Sequence, residues 1–126
     1  MGIHGQRRAD LMRRGEIRLV DLDPVRGTEA NKRRPAVIVS NDGANSTAER
    51  LGRGVVTVVP ATSNITRVYP FQVLLRASET GLDRDSKAQA EQVRSVAVAR
   101  IGARLGVVPP ELLLSLDEAL RLHLAL

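Results

Sequence analysis

Short runs of β-branched residues, each bounded by proline, constrain this chain more than any other feature. Residues 36–39 (AVIV) follow Pro35, and residues 55–59 (VVTVV) stop at Pro60. Uninterrupted apolar runs of this length suit buried strands. Proline offers no N–H to a sheet ladder, so each run predicts a short strand with its proline at the edge. Residues 16–22 (EIRLVDL) add a strand with Ile17, Leu19 and Asp21 on one face, and residues 71–75 (FQVLL) another. Residues 87–94 (KAQAEQVR) are ambiguous, because Ala, Gln and Glu lean helical. After Pro109-Pro110, where a first-turn proline costs nothing, Leu112, Leu113, Leu116, Ala119, Leu120 and His123 recur at helical spacing, with Val107 joining the apolar set. Between these elements lie a basic loop over 23–34, a polar loop over 41–54 with a helical turn at 46–50, a connector at 61–67 and a turn at 79–86. Five or six short strands and one terminal helix predict a mainly β fold, a small, strongly bent SH3-like barrel capped by the helix.

The length, 126 residues, fits one domain with a modest core. Residues 1–12 (MGIHGQRRADLM) read as a disordered leader, and Met12 ahead of RRGEI reads as a second start, leaving a single domain over 13–126. The leader lacks a secretory apolar stretch, and no run approaches the roughly 18 apolar residues of a bilayer span, so a cytoplasmic protein is expected. Cysteine is absent, which removes disulfides, thiolate metal sites and cysteine nucleophiles together.

Charge points to a polyanionic partner. Lys and Arg total 19 against 14 acids, a net charge of +5, and all the cations but Lys32 and Lys87 are arginines. Phosphates attract such a surface, and arginine's fork suits them better than lysine's point charge. A G+C-rich genome explains the arginine bias about equally well. The only aromatic residues are Tyr69 and Phe71, too few for a base-stacking platform, and both are expected in the core. Any RNA binding would then rest on charge, shape and edge hydrogen bonds.

No zinc, nucleotide-loop or nucleophile-elbow spacing occurs. The histidines are His4, in the leader, and His123, on the terminal helix at an expected core edge or dimer contact. A ribonuclease built on a histidine acid–base pair is therefore excluded. Asp83 and Asp85 beside Gly81 hint at a cation loop, but further oxygen ligands are missing, so they read as solvated turn acids. No metal or cofactor is expected.

Residues 23–41 (DPVRGTEANKRRPAVIVSN) resemble the opening of the MazF/PemK toxin family, a DP..GSE loop followed by an Arg-Pro dipeptide entering a hydrophobic strand. Arg14-Gly15-Glu16-Ile17 precedes it, and Val59-Pro60-Ala61-Thr62-Ser63 and Ala90-Glu91-Gln92-Val93-Arg94 follow in order. Leu116-Asp117-Glu118-Ala119-Leu120 is similar to the family's terminal helix, so the resemblance spans 13–126. It implies that 87–94 is a strand. It further implies an endoribonuclease acting on a short sequence in single-stranded RNA without a metal, a two-fold homodimer and a cognate antitoxin. Cleavage in the family uses the substrate's 2′-OH and leaves a 2′,3′-cyclic phosphate and a 5′-OH. Arg34 matches the catalytic arginine and Thr62 the catalytic threonine. Glu29 and Glu91 match acidic positions flanking the RNA, with Glu91 a candidate base, and Gln92 fits a substrate-binding strand. Arg26, Lys32 and Arg33 would steer phosphates by charge, although a solvated charged loop explains them nearly as well, and Asn31 and Ser63 complete the expected RNA-binding set. Two positions depart from some relatives, Gln89 where an arginine occurs and Arg33 where a histidine does.

The residue types suit the chemistry. A fixed guanidinium at Arg34 stabilises charge on phosphorane oxygens, and electrostatic donors of this kind contribute about 10²–10³ in rate. Thr62 supplies a hydroxyl to the same phosphate. Arginine is a poor general base, since its pKa exceeds about 12. An acidic, partly disordered antitoxin segment lying over the basic site is the expected partner. Two alternatives remain: a CcdB-like gyrase poison, disfavoured because that branch ends on a tryptophan and this chain has none, and a non-catalytic nucleic-acid-binding module.

Overall fold

The computed structural model describes residues 12–22 and 33–126. Among them, seven strands run β1 (Glu16–Asp21), β2 (Arg33–Ile38), β3 (Val55–Thr62), β4 (Gln72–Leu75), β5 (Ser86–Gln89), β6 (Arg94–Ala97) and β7 (Ile101–Val107). Three helices, α1 (Asp42–Leu51), α2 (Ala77–Thr80) and α3 (Pro110–Leu124), and two 3₁₀ turns, Ala90–Gln92 and Val98–Arg100, join them. Every pairing is antiparallel, in the order β4-β5-β3-β2-β1-β7, with β6 on the other half of β3. The expected barrel is thus an open sheet, ending at β4 and β7 without closure.

Alternation along the central strands explains the unbroken apolar runs. Ile17, Val37 and Val59 enter one core cluster with Val73, Leu75, Leu116 and Ala119. Val20, Ala36, Ile38, Val56 and Val58 enter a second with Met12 and Ala48. Both faces are covered, so neither face of β2 or β3 needs polar residues. Met12, placed in the leader by sequence, is buried, and its N–H donates to Glu49 Oε1 at 2.7 Å.

Neither proline stops its strand. Pro35 lies within β2 opposite Leu19, and pairing to β3 starts one residue later. On the side of β3 away from β2, residues 55–58 pair with β6 and 61–62 with β5. Pro60 falls in the gap between these partners, where no ladder donor is required.

Three other expectations change. Residues 87–94 are not one strand: the 3₁₀ turn Ala90–Gln92 separates β5 from β6. The polar loop over 41–54 contains the ten-residue α1, whose N-cap Asn41 accepts from Ala44 N–H at 2.8 Å and whose C-cap Gly52 adopts the left-handed conformation. Only Asn45 and Ala48 of α1 are buried, which left no apolar stripe to see. The terminal helix forms as expected over Leu116 and Ala119, but His123 and Val107 are exposed, and Val108 takes the buried place. Arg14 ties α1 to α3: its backbone N–H donates to Asp42 Oδ1, Nε to Val39 O at 2.8 Å and Nη2 to Asp117 Oδ1.

Candidate active site

The site grows from the register of four strands. Alternation puts Arg34 on the face of Ala36, which stands opposite Pro60, and Pro60 shares its face with Thr62. Thr62 in turn stands opposite Lys87, and Gln89 opposite Gln72. Cross-strand partners emerge on one face, so Arg34, Thr62, Lys87, Gln89 and Gln72 are brought together although they span much of the sequence.

Half-buried Arg34 donates through Nη2 to Ala61 O at 3.2 Å and to Gln89 Oε1 at 2.9 Å. Both acceptors are neutral. The side chain is fixed without its charge being cancelled, and of a guanidinium's five N–H groups three remain for a ligand among the described contacts. Thr62 Oγ1 accepts from Asn64 N–H at 3.2 Å, leaving its own hydrogen to donate. Arg34, Thr62 and Ser63 line a cleft of about 340 Å³ whose other wall includes Leu82, Asp83, Arg84 and Ser86. A larger hollow, about 690 Å³ between β4 and α3, contains neither Arg34 nor Thr62.

Glu91 lies on the 3₁₀ turn outside that cleft. Its Oε2 accepts from Gln72 Nε2 at 2.8 Å, and its Oε1 is buried with no partner among the described residues. A buried carboxylate oxygen left unpaired costs free energy, and such orphans mark places where a ligand or water completes the network. Gln92 is exposed on the same turn, not on a strand, and exposed Arg33 opens β2 opposite Asp21. Arg26, Glu29, Asn31 and Lys32 lie outside the described residues.

Sequence reasoning missed Gln72 and Lys87 and saw Gln89 only as a departure. Lys87 is buried, with Nζ donating to Arg67 O at 2.6 Å and standing 5.8 Å from the centroid of the Tyr69 ring. The signal for all three was β alternation, masked at Lys87 and Gln89 by a helical composition and at Gln72 by the apolar run around it. Tyr69 and Phe71 are not core residues. Tyr69 is 42% exposed, Phe71 half-buried, and their rings stack with centroids 5.4 Å apart beside the site. The buried position is taken instead by Gln72, whose Oε1 accepts from Tyr69 N–H at 3.1 Å. Asp85 caps α2 by accepting from Ala77 N–H at 2.8 Å, and the described residues hold no cluster of acids and histidines able to bind a metal.

A guanidinium and a threonine hydroxyl on one cleft, at the Arg-Pro and Pro-Ala-Thr motifs, fit one family, and its model matches residues 13–124: the PemK-like, MazF-like toxin of type II toxin–antitoxin systems. The chain belongs to that family. It is 66% identical over 116 residues to the endoribonuclease MazF9 of Mycobacterium tuberculosis, covering 92% of this chain and 98% of that protein. The endoribonuclease MazF of Staphylococcus epidermidis is 32% identical over 117 residues, with 92% and 93% covered. A mycobacterial endoribonuclease solved in complex with its cognate antitoxin superposes with a TM-score of 0.68 at 25% identity, covering 91% of this chain and 96% of that one. No helix of this MazF-like chain, among the described residues, is long and apolar enough to cross a membrane.

Proposed function

We propose that this MazF-like protein is the toxin of a toxin–antitoxin pair, a cytoplasmic endoribonuclease that cuts single-stranded RNA at a short sequence. The observation that carries the reading is Arg34, fixed by two neutral acceptors with three N–H groups left over among the described residues, on a cleft it shares with the Thr62 hydroxyl. A phosphodiester seated there meets a charge that needs no reorganisation as the phosphorane forms. Thr62 adds a hydrogen bond to the same phosphate. The attacking 2′-OH belongs to the substrate, so the products are a 2′,3′-cyclic phosphate and a 5′-OH, and no metal is required. Arginine does not take the proton; Glu91, one pair of glutamines away, offers its uncommitted Oε1 through a bridging water. Arg33, Ser63 and Gln92, with Arg26, Glu29, Asn31 and Lys32, bind the flanking nucleotides. Two copies form the working dimer, and an acidic antitoxin segment covers the same cleft; that a mycobacterial relative was solved in complex with its cognate antitoxin supports an antitoxin partner.

The test is cleavage of a long unstructured RNA in excess EDTA by antitoxin-free protein, wild type beside Arg34→Ala, with end-group analysis. Sequence-specific cuts with cyclic phosphate ends, lost in the variant, are expected. Intact RNA with folded wild-type protein would overturn the enzyme reading.

A further inference from the structure

Gln72 and Gln89 stand directly opposite each other on β4 and β5, so their side chains leave the sheet on the same face. One meets the cation of the site and the other the carboxylate: Gln89 Oε1 accepts from Arg34 Nη2 at 2.9 Å, and Gln72 Nε2 donates to Glu91 Oε2 at 2.8 Å. The amide orientations follow from the partners, because a guanidinium only donates and a carboxylate only accepts. Gln72 is locked further by Tyr69 N–H on its Oε1, and it is only 8% exposed. Glutamine is the side chain of this length that satisfies either charge while remaining neutral.

We infer that Gln72 and Gln89 are positioning residues, a neutral pair that holds Arg34 and Glu91 fixed but apart, so that neither charge is spent on the other. This rests on the proposed function of Arg34 and Glu91. A guanidinium and a carboxylate in direct contact here would form an ion pair, and the cation would reach the phosphate already compensated. With two amides between them, each is oriented by a hydrogen bond and keeps its charge and its spare atoms: three N–H groups on Arg34 and Oε1 on Glu91. Lys87, another cation on this face, is turned to Arg67 O and the Tyr69 ring.

The experiment is steady-state cleavage of a short RNA carrying the mapped site by the full chain, with Gln89→Glu, Gln89→Leu, Gln72→Glu and Arg34→Ala beside wild type. Gln89→Glu places a carboxylate on Arg34 and is expected to lower kcat about 10- to 100-fold near neutral pH, with KM changing much less. Its activity relative to wild type should recover only as the pH falls below about 4, because the guanidinium holds the new carboxyl below the usual carboxylate range and only the protonated acid has the neutrality of the native amide. Gln89→Leu removes the acceptor without adding charge, so it should lose kcat with no such recovery. Gln72→Glu sets a second carboxylate against Glu91 and should move the acid limb of the kcat/KM profile upward by about one pH unit. A loss in Gln89→Glu that is independent of pH and equal to that of Gln89→Leu would reduce Gln89 to packing and overturn the inference. Rates within about twofold of wild type in both Gln89 variants, with Arg34→Ala inactive, would overturn it while leaving the proposed site intact. An active Arg34→Ala would remove the site reading itself.

Discussion

Replacing Arg34 with lysine separates charge from geometry at the cleft. Arg34 spends N–H groups on Ala61 O at 3.2 Å and Gln89 Oε1 at 2.9 Å, both through Nη2, and presents the rest to the ligand. A lysine keeps one positive charge but has three donors on a single nitrogen, so an ammonium held by those acceptors has little left for a phosphate. Removing a preorganised donor outright costs roughly 10²–10³ in kcat, about 2.7–4 kcal/mol. Arg34→Ala should show that full loss, and Arg34→Lys, retaining charge without the fork, a loss of about 10- to 100-fold. Folding cannot mimic this. The two hydrogen bonds from a half-buried arginine contribute about 1–3 kcal/mol together, against a stability of about 5–15 kcal/mol for such a domain. Even the least favourable combination leaves both variants more than about nine-tenths folded at 25 °C. The assay is single-turnover cleavage with circular dichroism recorded on the same samples. Wild-type rates in Arg34→Lys, or losses that track the unfolded fraction, would refute the assignment of Arg34 to transition-state charge.

Thr62→Val keeps the branched shape and removes the hydroxyl, so kcat should fall about 10-fold or more while the melting curve shifts little, checked by single-turnover kinetics. A Cβ at Gly106 would lie 2.2 Å from Thr80 O, a clash with backbone, so Gly106→Ala should destabilise by about 1–3 kcal/mol in a denaturant titration. Asp117→Ala frees Arg14 from α3 and should cost about 1–2 kcal/mol of stability, with cleavage unchanged at 25 °C. If the proposed site holds RNA through its phosphates, kcat/KM should fall linearly on a log–log plot against salt, with a shallower slope in Arg33→Ala.

What the chain shows in its sequence and what it hides divide along a physical line. Signals that depend on local chemistry were legible: the apolar runs that became β2 and β3, the leucine period of α3 over Leu116 and Ala119, and the Arg-Pro and Pro-Ala-Thr motifs that deliver Arg34 and Thr62 to one cleft. Signals that depend on a partner elsewhere were not. Pro60 reads as a strand end until β3 is seen to exchange β6 for β5 at that residue. Residues 42–51 show only the helical turn at 46–50 in the sequence, because α1 is held by the Asn41 cap and by Asn45, whose Nδ2 donates to Ser40 O at 2.8 Å, rather than by an apolar stripe. β6 and β7 are hidden in the sequence because their exposed positions, such as Ser95, Gly102, Ala103 and Arg104, dilute the alternation of Val96, Ile101 and Leu105.

The same line runs through the site. A motif names the charged residue that does chemistry, because charge is rare and its neighbours in sequence are distinctive. It does not name the neutral residue that holds it, because Gln72 and Gln89 acquire their meaning only from standing opposite each other across β4 and β5. On the inference drawn above, an amide at Gln89 suits the site better than a charged side chain would. An arginine there would bring a second cation against Arg34, whereas the amide accepts its hydrogen bond and leaves the guanidinium's charge uncompensated at that contact, on the cleft it shares with Thr62. If the pair works as inferred, activity in this chain should depend on neutral side chains as strictly as on charged ones, and substitutions that add charge at 72 or 89 should be more damaging than those that remove a hydrogen bond.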